Sequence, residues 1–137
     1  MASGPSVGYS GTPLPRKLGI KEGHRVLLAG APSGFDLGPL PGVEVHRRAG
    51  AAPYHVILAF TADRRALDRR FLALFEHLTR NGGLWVAWPK RSSGVATDLD
   101  ENIVRDVGLA AGLVDNKVCA IDETWSGLRF VVRLRDR

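Results

Sequence analysis

Three short apolar runs constrain this chain more than any other feature. They are His24-Arg25-Val26-Leu27-Leu28-Ala29-Gly30, Tyr54-His55-Val56-Ile57-Leu58-Ala59-Phe60 and Leu84-Trp85-Val86-Ala87-Trp88. Each has the length of a strand, and none alternates apolar with polar as a strand with one wet face does. A strand that is apolar on both sides belongs inside a sheet covered on both faces, the situation of parallel sheets. Parallel neighbours need crossovers, so amphipathic helices are expected between the runs.

One such helix is clear. Over 63–80, Leu67, Phe71, Leu74, Phe75 and Leu78 build one apolar stripe, with Arg65, Asp68, Arg69, Glu76 and His77 on other faces. Thr61 or Ala62 ahead of Asp63 suits its start, and Asn81-Gly82-Gly83 its stop. A second helix is expected after Thr97 or Asp98, since Glu101 stands three residues beyond Asp98 at the capping-box spacing. Its inner stripe is Leu99, Ile103 and Val107. Leu14 to Ile20 reads as a short helix and Val43 to Arg47 as a short strand. Val114 to Ile121 and Leu128 to Leu134 read as two further strands, joined through Asp122 to Gly127 as in a hairpin. Between Ala31 and Gly42, three prolines and three glycines leave no room for a long helix. The expected fold is therefore α/β, with a mainly parallel sheet of about six strands and an antiparallel C-terminal edge. A single domain over 14–137 suits 137 residues. Residues 1–13, rich in Ser, Gly and Pro, read as a flexible arm with Tyr9 as its one anchor.

Several function classes fall away. No run of about 18 apolar residues exists, so a membrane span is not expected. No apolar stretch followed by a cleavage site opens the chain, which makes the cytoplasm the default location. Cys119 stands alone, so neither an internal disulfide nor a cysteine metal cluster is available within one chain. His24, His46, His55 and His77 show no metal-ligand spacing. No metal and no catalytic residue is assigned. The net charge of +5 is spread along the chain, with no isolated Lys/Arg block. Nucleic acid is thus a less favoured partner than a small anion.

In an open parallel sheet, ligands sit beyond the carboxyl ends of the strands, where strand order reverses. Three loops meet that description. The first is Gly30-Ala31-Pro32-Ser33-Gly34-Phe35, whose glycines let backbone N–H groups approach an anion. The second is Phe60-Thr61-Ala62-Asp63. The third is Trp88-Pro89-Lys90-Arg91-Ser92-Ser93-Gly94, where two cations and two hydroxyls suit a phosphate or carboxylate near a helix start. Gly30, Ser33, Gly34, Phe60 and Thr61 are the candidate cofactor contacts. Trp88, Lys90, Arg91, Ser92, Ser93 and Trp125 are the candidate ligand contacts, the two tryptophans as surfaces for a planar ring. Trp85 is expected in the core, as is Cys119. Asp122 and Glu123 read as an exposed acidic turn.

Gly8-Tyr9-Ser10-Gly11-Thr12-Pro13-Leu14, Lys17-Leu18-Gly19-Ile20, Leu84-Trp85-Val86-Ala87-Trp88-Pro89-Lys90 and Asp122-Glu123-Thr124-Trp125-Ser126-Gly127-Leu128 together resemble a small bacterial family of domains of unknown function. More distantly, Val26 to Ala31, Tyr54 to Phe60 and Asn81 to Val86 are similar to segments of S-adenosylmethionine-dependent methyltransferases. That resemblance implies a reduced Rossmann-like, methyltransferase-like architecture with its nucleoside loop at Gly30. It also implies a carboxylate for ribose at the end of the second strand, where this chain has Val45-His46-Arg47-Arg48 instead. Three readings of function follow. The first is a domain binding a small anionic or nucleotide-like molecule at the carboxyl ends of its parallel strands. The second is an S-adenosylmethionine-dependent methyltransferase. The third is an RNA- or protein-interaction module using Arg64, Arg65, Arg69 and Arg70 with the basic C-terminus.

Overall fold

The computed structural model describes residues 11–137; most of the expected arm, with Tyr9, lies outside the described residues. The three apolar runs lie side by side and point the same way. They form β1 (Arg25–Ala29), β3 (Tyr54–Phe60) and the end of β4 (Leu78–Pro89), with β2 (Glu44–His46) added outside β1. Two further strands are β5 (Leu113–Ala120) and β6 (Trp125–Val132). The sheet order is β2-β1-β3-β4-β6-β5. The β1–β2, β1–β3 and β3–β4 pairs are parallel, while β6 runs antiparallel to both β4 and β5. The C-terminal pair thus supplies the antiparallel part of the sheet, with β6 inserted between β4 and the edge strand β5.

The two faces are covered differently. On one, α2 (Arg64–Glu76) and α3 (Glu101–Ala110) press Leu67, Phe71, Leu74, Val104 and Val107 onto Ile57, Leu84, Val86, Leu128 and Phe130. The other face carries Val26, Leu28, Val56, Leu58, Phe60, Trp85 and Ala87 and receives no long helix. It is closed by α1 (Leu14–Lys17), which buries Leu18 just past its end, and by the loop bearing Phe35, Leu37 and Val43. The Trp85 indole N–H donates to the Leu18 carbonyl at 3.1 Å, satisfying a polar group that would otherwise be stranded in the core. Burial of a full tryptophan here matches the sequence expectation.

Several element boundaries differ from the sequence expectation, β6 among them, which runs Trp125–Val132 where Leu128 to Leu134 is expected. α2 begins where expected, with Asp63 accepting from the Arg65 amide, but ends at Glu76 rather than residue 80. Residues from Leu78 onward extend β4 instead, with a shift of register between Tyr54↔Leu78 and Val56↔Gly83. Leu78 is buried either way, so its apolar character does not separate the two structures. α3 is capped by Asp100, which accepts from the Ile103 amide at 2.9 Å, and not by Thr97 or Asp98. Those two residues tie the incoming loop to the start of α2: the Thr97 hydroxyl donates to the Ala62 carbonyl at 2.6 Å, and Asp98 accepts from the Arg64 amide at 2.8 Å.

The β2 edge is sealed by side chains. The Arg25 guanidinium donates to Glu44 and to the carbonyls of Pro53 and Ala52, and lies 4.8 Å from the Tyr54 ring centre. Glu44 meets His46 at 2.6 Å, and His46 meets the Tyr54 hydroxyl at 2.7 Å, which also accepts from the Gly50 amide. This chain of bonds stands at the β2 edge, where only 47–53 joins β2 to β3.

α3 approaches the sheet closely at Gly108, where a Cβ would overlap the Phe130 ring. Gly108→Ala tests this packing. Alanine favours a helix by about 1 kcal/mol, but overpacking typically costs about 1–3 kcal/mol. We expect a lower urea midpoint, with Phe130→Leu partly restoring it in the double variant. An unchanged or raised midpoint in the single variant refutes the packing account.

Candidate functional site

The carboxyl ends of β1, β3 and β4 share one edge of the sheet. The chain leaves β1 toward β2 on one side and returns to β3 on the other, so the reversal of strand order falls between β1 and β3. Two strand spacings separate β1 from β4, about 10 Å. The Gly30 corner and the Pro89-Lys90-Arg91 bend are therefore neighbours along one rim.

At the first corner Gly30 has φ +68, and Ser33 and Gly34 are exposed on the loop beyond it. A Cβ on Gly30 would lie 3.1 Å from the Phe60 carbonyl oxygen and 3.3 Å from a guanidinium nitrogen of Arg70. Arg70 donates to that same carbonyl at 3.1 Å. Sequence reasoning groups Arg70 with Arg64, Arg65 and Arg69 as a candidate interaction surface. The signal that singles it out is its position three residues after Leu67 and four before Leu74, within the buried stripe of α2. The Phe60 ring turns into the core of the helix-poor face, 4.9 Å from Phe35 and 5.1 Å from Trp125. Thr61 is buried; its amide donates to Ala87, and its hydroxyl donates to the Asp63 carbonyl at 3.2 Å.

Along the rim, a cleft of about 570 Å³ opens where β4 meets the start of α3. Its lining includes Trp88, Lys90, Arg91, Thr97, Glu101 and Ser126. That size is typical of small-molecule sites. Trp88 faces the helix-covered side and Trp125 the opposite side, so the two rings do not form one stacking surface. Ser92 and Ser93 are absent from the lining. Ser93 is occupied locally, donating to the Lys90 carbonyl at 2.6 Å and accepting from the Val95 amide at 3.1 Å. Gly94, with φ +77, closes that turn.

Two acids also border the cleft, and both are engaged. Asp100 caps α3. Glu101 pairs with Arg105 at 2.6 Å, and Arg105 also reaches Asp115 at 2.9 Å; these two bonds hold its pKa above the ordinary value. Lys90 and Arg91 have no ion-pair or side-chain hydrogen-bond partner among the described residues. Against these two cations stands one cleft acid without a cationic partner among the described residues, Asp100, so positive charge is in excess.

Other titratable groups lie elsewhere. His55 accepts from the Arg25 amide at 2.9 Å, and its ring stacks on His24 at 4.5 Å, at the amino ends of the strands and away from the rim. Cys119 is half-buried, and burial raises its thiol pKa. Asp122 accepts from the Thr124 and Trp125 amides, fixing the turn before β6. Among the described residues, no three His, Cys, Asp or Glu side chains gather as a metal site. The α2 arginines do not act together: Arg64 approaches Asp68 at 3.7 Å, while Arg70 turns toward Gly30.

No family model matches this chain, and no curated protein does either. Solved structures do. One is a SAM dependent methyltransferase from Aquifex aeolicus, with a TM-score of 0.61 and 17% identity over 86% of this chain and 87% of that one. Another is a putative methyltransferase from Thermoplasma acidophilum, with a TM-score of 0.51 and 10% identity over 83% and 70%. At such identities the likeness is one of fold: this chain has a Rossmann-like, methyltransferase-like sheet. Among the described residues no helix is long and apolar enough to cross a membrane.

The histidine pair makes a pH prediction. Burial first, then His55 and Lys21, lower the His24 pKa from its ordinary 6.5. A histidine harder to protonate when folded takes up its proton preferentially in the unfolded chain. Its contribution is present above pH 6.5, is lost as pH falls through that value, and levels off below the folded pKa. We expect the melting temperature to fall between pH 7 and pH 5, with a smaller fall in His24→Asn. An identical pH slope in that variant rejects the assignment.

Proposed function

We propose that this is a small cytoplasmic domain that binds an anionic, nucleotide-like molecule along the rim formed by β1, β3 and β4. The observation that carries this reading is the charge at the β4–α3 cleft: Lys90 and Arg91 are without partners among the described residues, while Asp100 and Glu101 are spent on α3 and Arg105. A ligand entering there meets two cations without counter-ions, one acid paired with Arg105 and one hydrogen-bonded to the amino end of α3, a positive balance that favours a phosphate or carboxylate. From there the ligand extends along the rim toward Gly30, Ser33, Gly34 and Thr61, where strand order reverses and backbone is accessible. Trp88 supplies the apolar wall of the cleft.

Methyl transfer from S-adenosylmethionine is the second reading, favoured by the fold of the Aquifex aeolicus enzyme and by the near-equal extent of the two chains. The second strand weighs against it. A methyltransferase-like ribose contact calls for a carboxylate at the carboxyl end of β2, and this chain has His46 and Arg47 there. Arg47 is turned to the Phe35 carbonyl, and the acid of that strand, Glu44, is bound to Arg25 and His46. Anion binding without catalysis asks less of these residues.

Thermal shift and calorimetry with ADP, S-adenosylhomocysteine and S-adenosylmethionine at millimolar concentration test both readings. A ligand at a hundred times its Kd stabilises the folded state by about 2.7 kcal/mol. We expect at least one of these ligands to raise the melting temperature. The Lys90→Glu/Arg91→Glu double variant should melt close to the wild type alone and lose the ligand-induced rise. Loss of no part of the rise in that variant, or no response of the wild type to any of the three, removes the proposal. Heat and stabilisation with S-adenosylmethionine exceeding those with both others would favour the methyltransferase.

A further inference from the structure

We propose that Arg70 makes the Gly30 corner an oxyanion site, its guanidinium receiving the phosphate or carboxylate of the molecule bound along the rim. This deepens the reading above and rests on it, adding a third cation on the far side of β3 from Lys90 and Arg91.

The geometry begins with the helix. Arg70 lies six residues into α2, about 9 Å from its start. Side chains on a helix tilt toward its amino terminus, so a long arginine there leans back up to the rim from which the helix descends. It arrives at the carboxyl end of β3, where one terminal nitrogen donates to the Phe60 carbonyl. A guanidinium carries five N–H donors in a planar fork. No other bond from Arg70 is present among the described residues. The second terminal nitrogen is the one that faces Gly30.

Charge makes the same point. Arg70 is half-buried, and burial is the sole cause lowering its pKa, with no carboxylate opposing it. Arg25, Arg64 and Arg105, by contrast, each have an acid within reach. A cation drawn out of water without a counter-ion is costly unless something completes it. Arg129 is also half-buried without an acid, but it crosses Gly83 and donates to Asn116. Arg70 instead borders an exposed glycine that leaves the approach open, since any side chain at 30 would crowd both the guanidinium and the Phe60 carbonyl. A fork held on one prong, with its other donors beside an open corner, suits the two oxygens of a phosphate or carboxylate.

The test uses the full chain with Arg70→Met, which keeps length and removes charge, and Arg70→Lys. Affinities for adenosine, ADP and S-adenosylhomocysteine are measured by calorimetry. The wild type should bind an anion-bearing ligand more tightly than adenosine. Arg70→Met should lose that affinity tenfold or more while adenosine changes less than twofold, with Arg70→Lys between. A selective loss for ADP identifies phosphate as the group received, and one for S-adenosylhomocysteine identifies carboxylate. Full retention of both affinities in Arg70→Met, alongside their loss in Lys90→Glu/Arg91→Glu, overturns this inference and spares the ligand site. Failure of the wild type to bind any of the three overturns both. If Arg70→Met does not fold, the wild-type Arg70 Nε–H resonance decides: movement on titration with inorganic pyrophosphate supports the site, and a stationary signal rejects it.

Discussion

A sheet with parallel strands at its centre must be covered on both faces, and among the described residues long helices cover only one. Everything on the second face follows from that shortage. Leu18 is driven into the core from a four-residue helix, and Trp85 reaches across to bind its carbonyl. Phe35, Leu37 and Val43 come from a segment too rich in proline and glycine to be helical, and they lie over β1 as a loop. Aromatic side chains suit this task because each buries a large apolar area from a single anchor point. Phe60, set between Phe35 and Trp125, is the centre of that cover at the rim. The corner at Gly30 is thus shaped by the need to close a hydrophobic face, and its openness to ligand is what remains after that closure.

The central strands are legible because they are apolar throughout, and Trp85 lies in the core as expected. The start of α2 was legible from its stripe. Its end was not, because Leu78 meets the same core from a helix or from a strand. The cap of α3 was misread since Asp98 and Asp100 both precede Glu101, and the choice between them depends on a tertiary contact, the Asp98 bond to the Arg64 amide. At the rim, Trp88 near the end of β4 and Lys90 and Arg91 just past it line the cleft. Ser126 was missed because it enters through its register with Trp88 across an antiparallel pair, a relation that local sequence does not carry. Ser92 and Ser93 were listed for their hydroxyls, and Ser93 is consumed by the turn it stabilises.

Charge is distributed on the same logic of partners. Glu44, Glu101 and Asp115 are each tied to an arginine, and Asp63 and Asp100 to helix amides. Lys90, Arg91 and Arg70 have no ion-pair partner among the described residues, and they stand along one edge of the sheet. The likeness to the solved methyltransferases is one of frame.

A doubly wound sheet ordinarily offers an anion the amino end of the helix that follows its first strand. Here Gly30 opens into a loop, so no row of helical amides and no macrodipole points at the corner. A site lacking that dipole must draw positive charge from another element. α2 lies on the helix-bearing face and descends from the same rim, so an arginine in its stripe can reach back to the vacancy at the cost of partial burial. On this account the missing helix and the half-buried Arg70 are one feature seen from two sides: a reduced fold that has exchanged a dipole for a side chain.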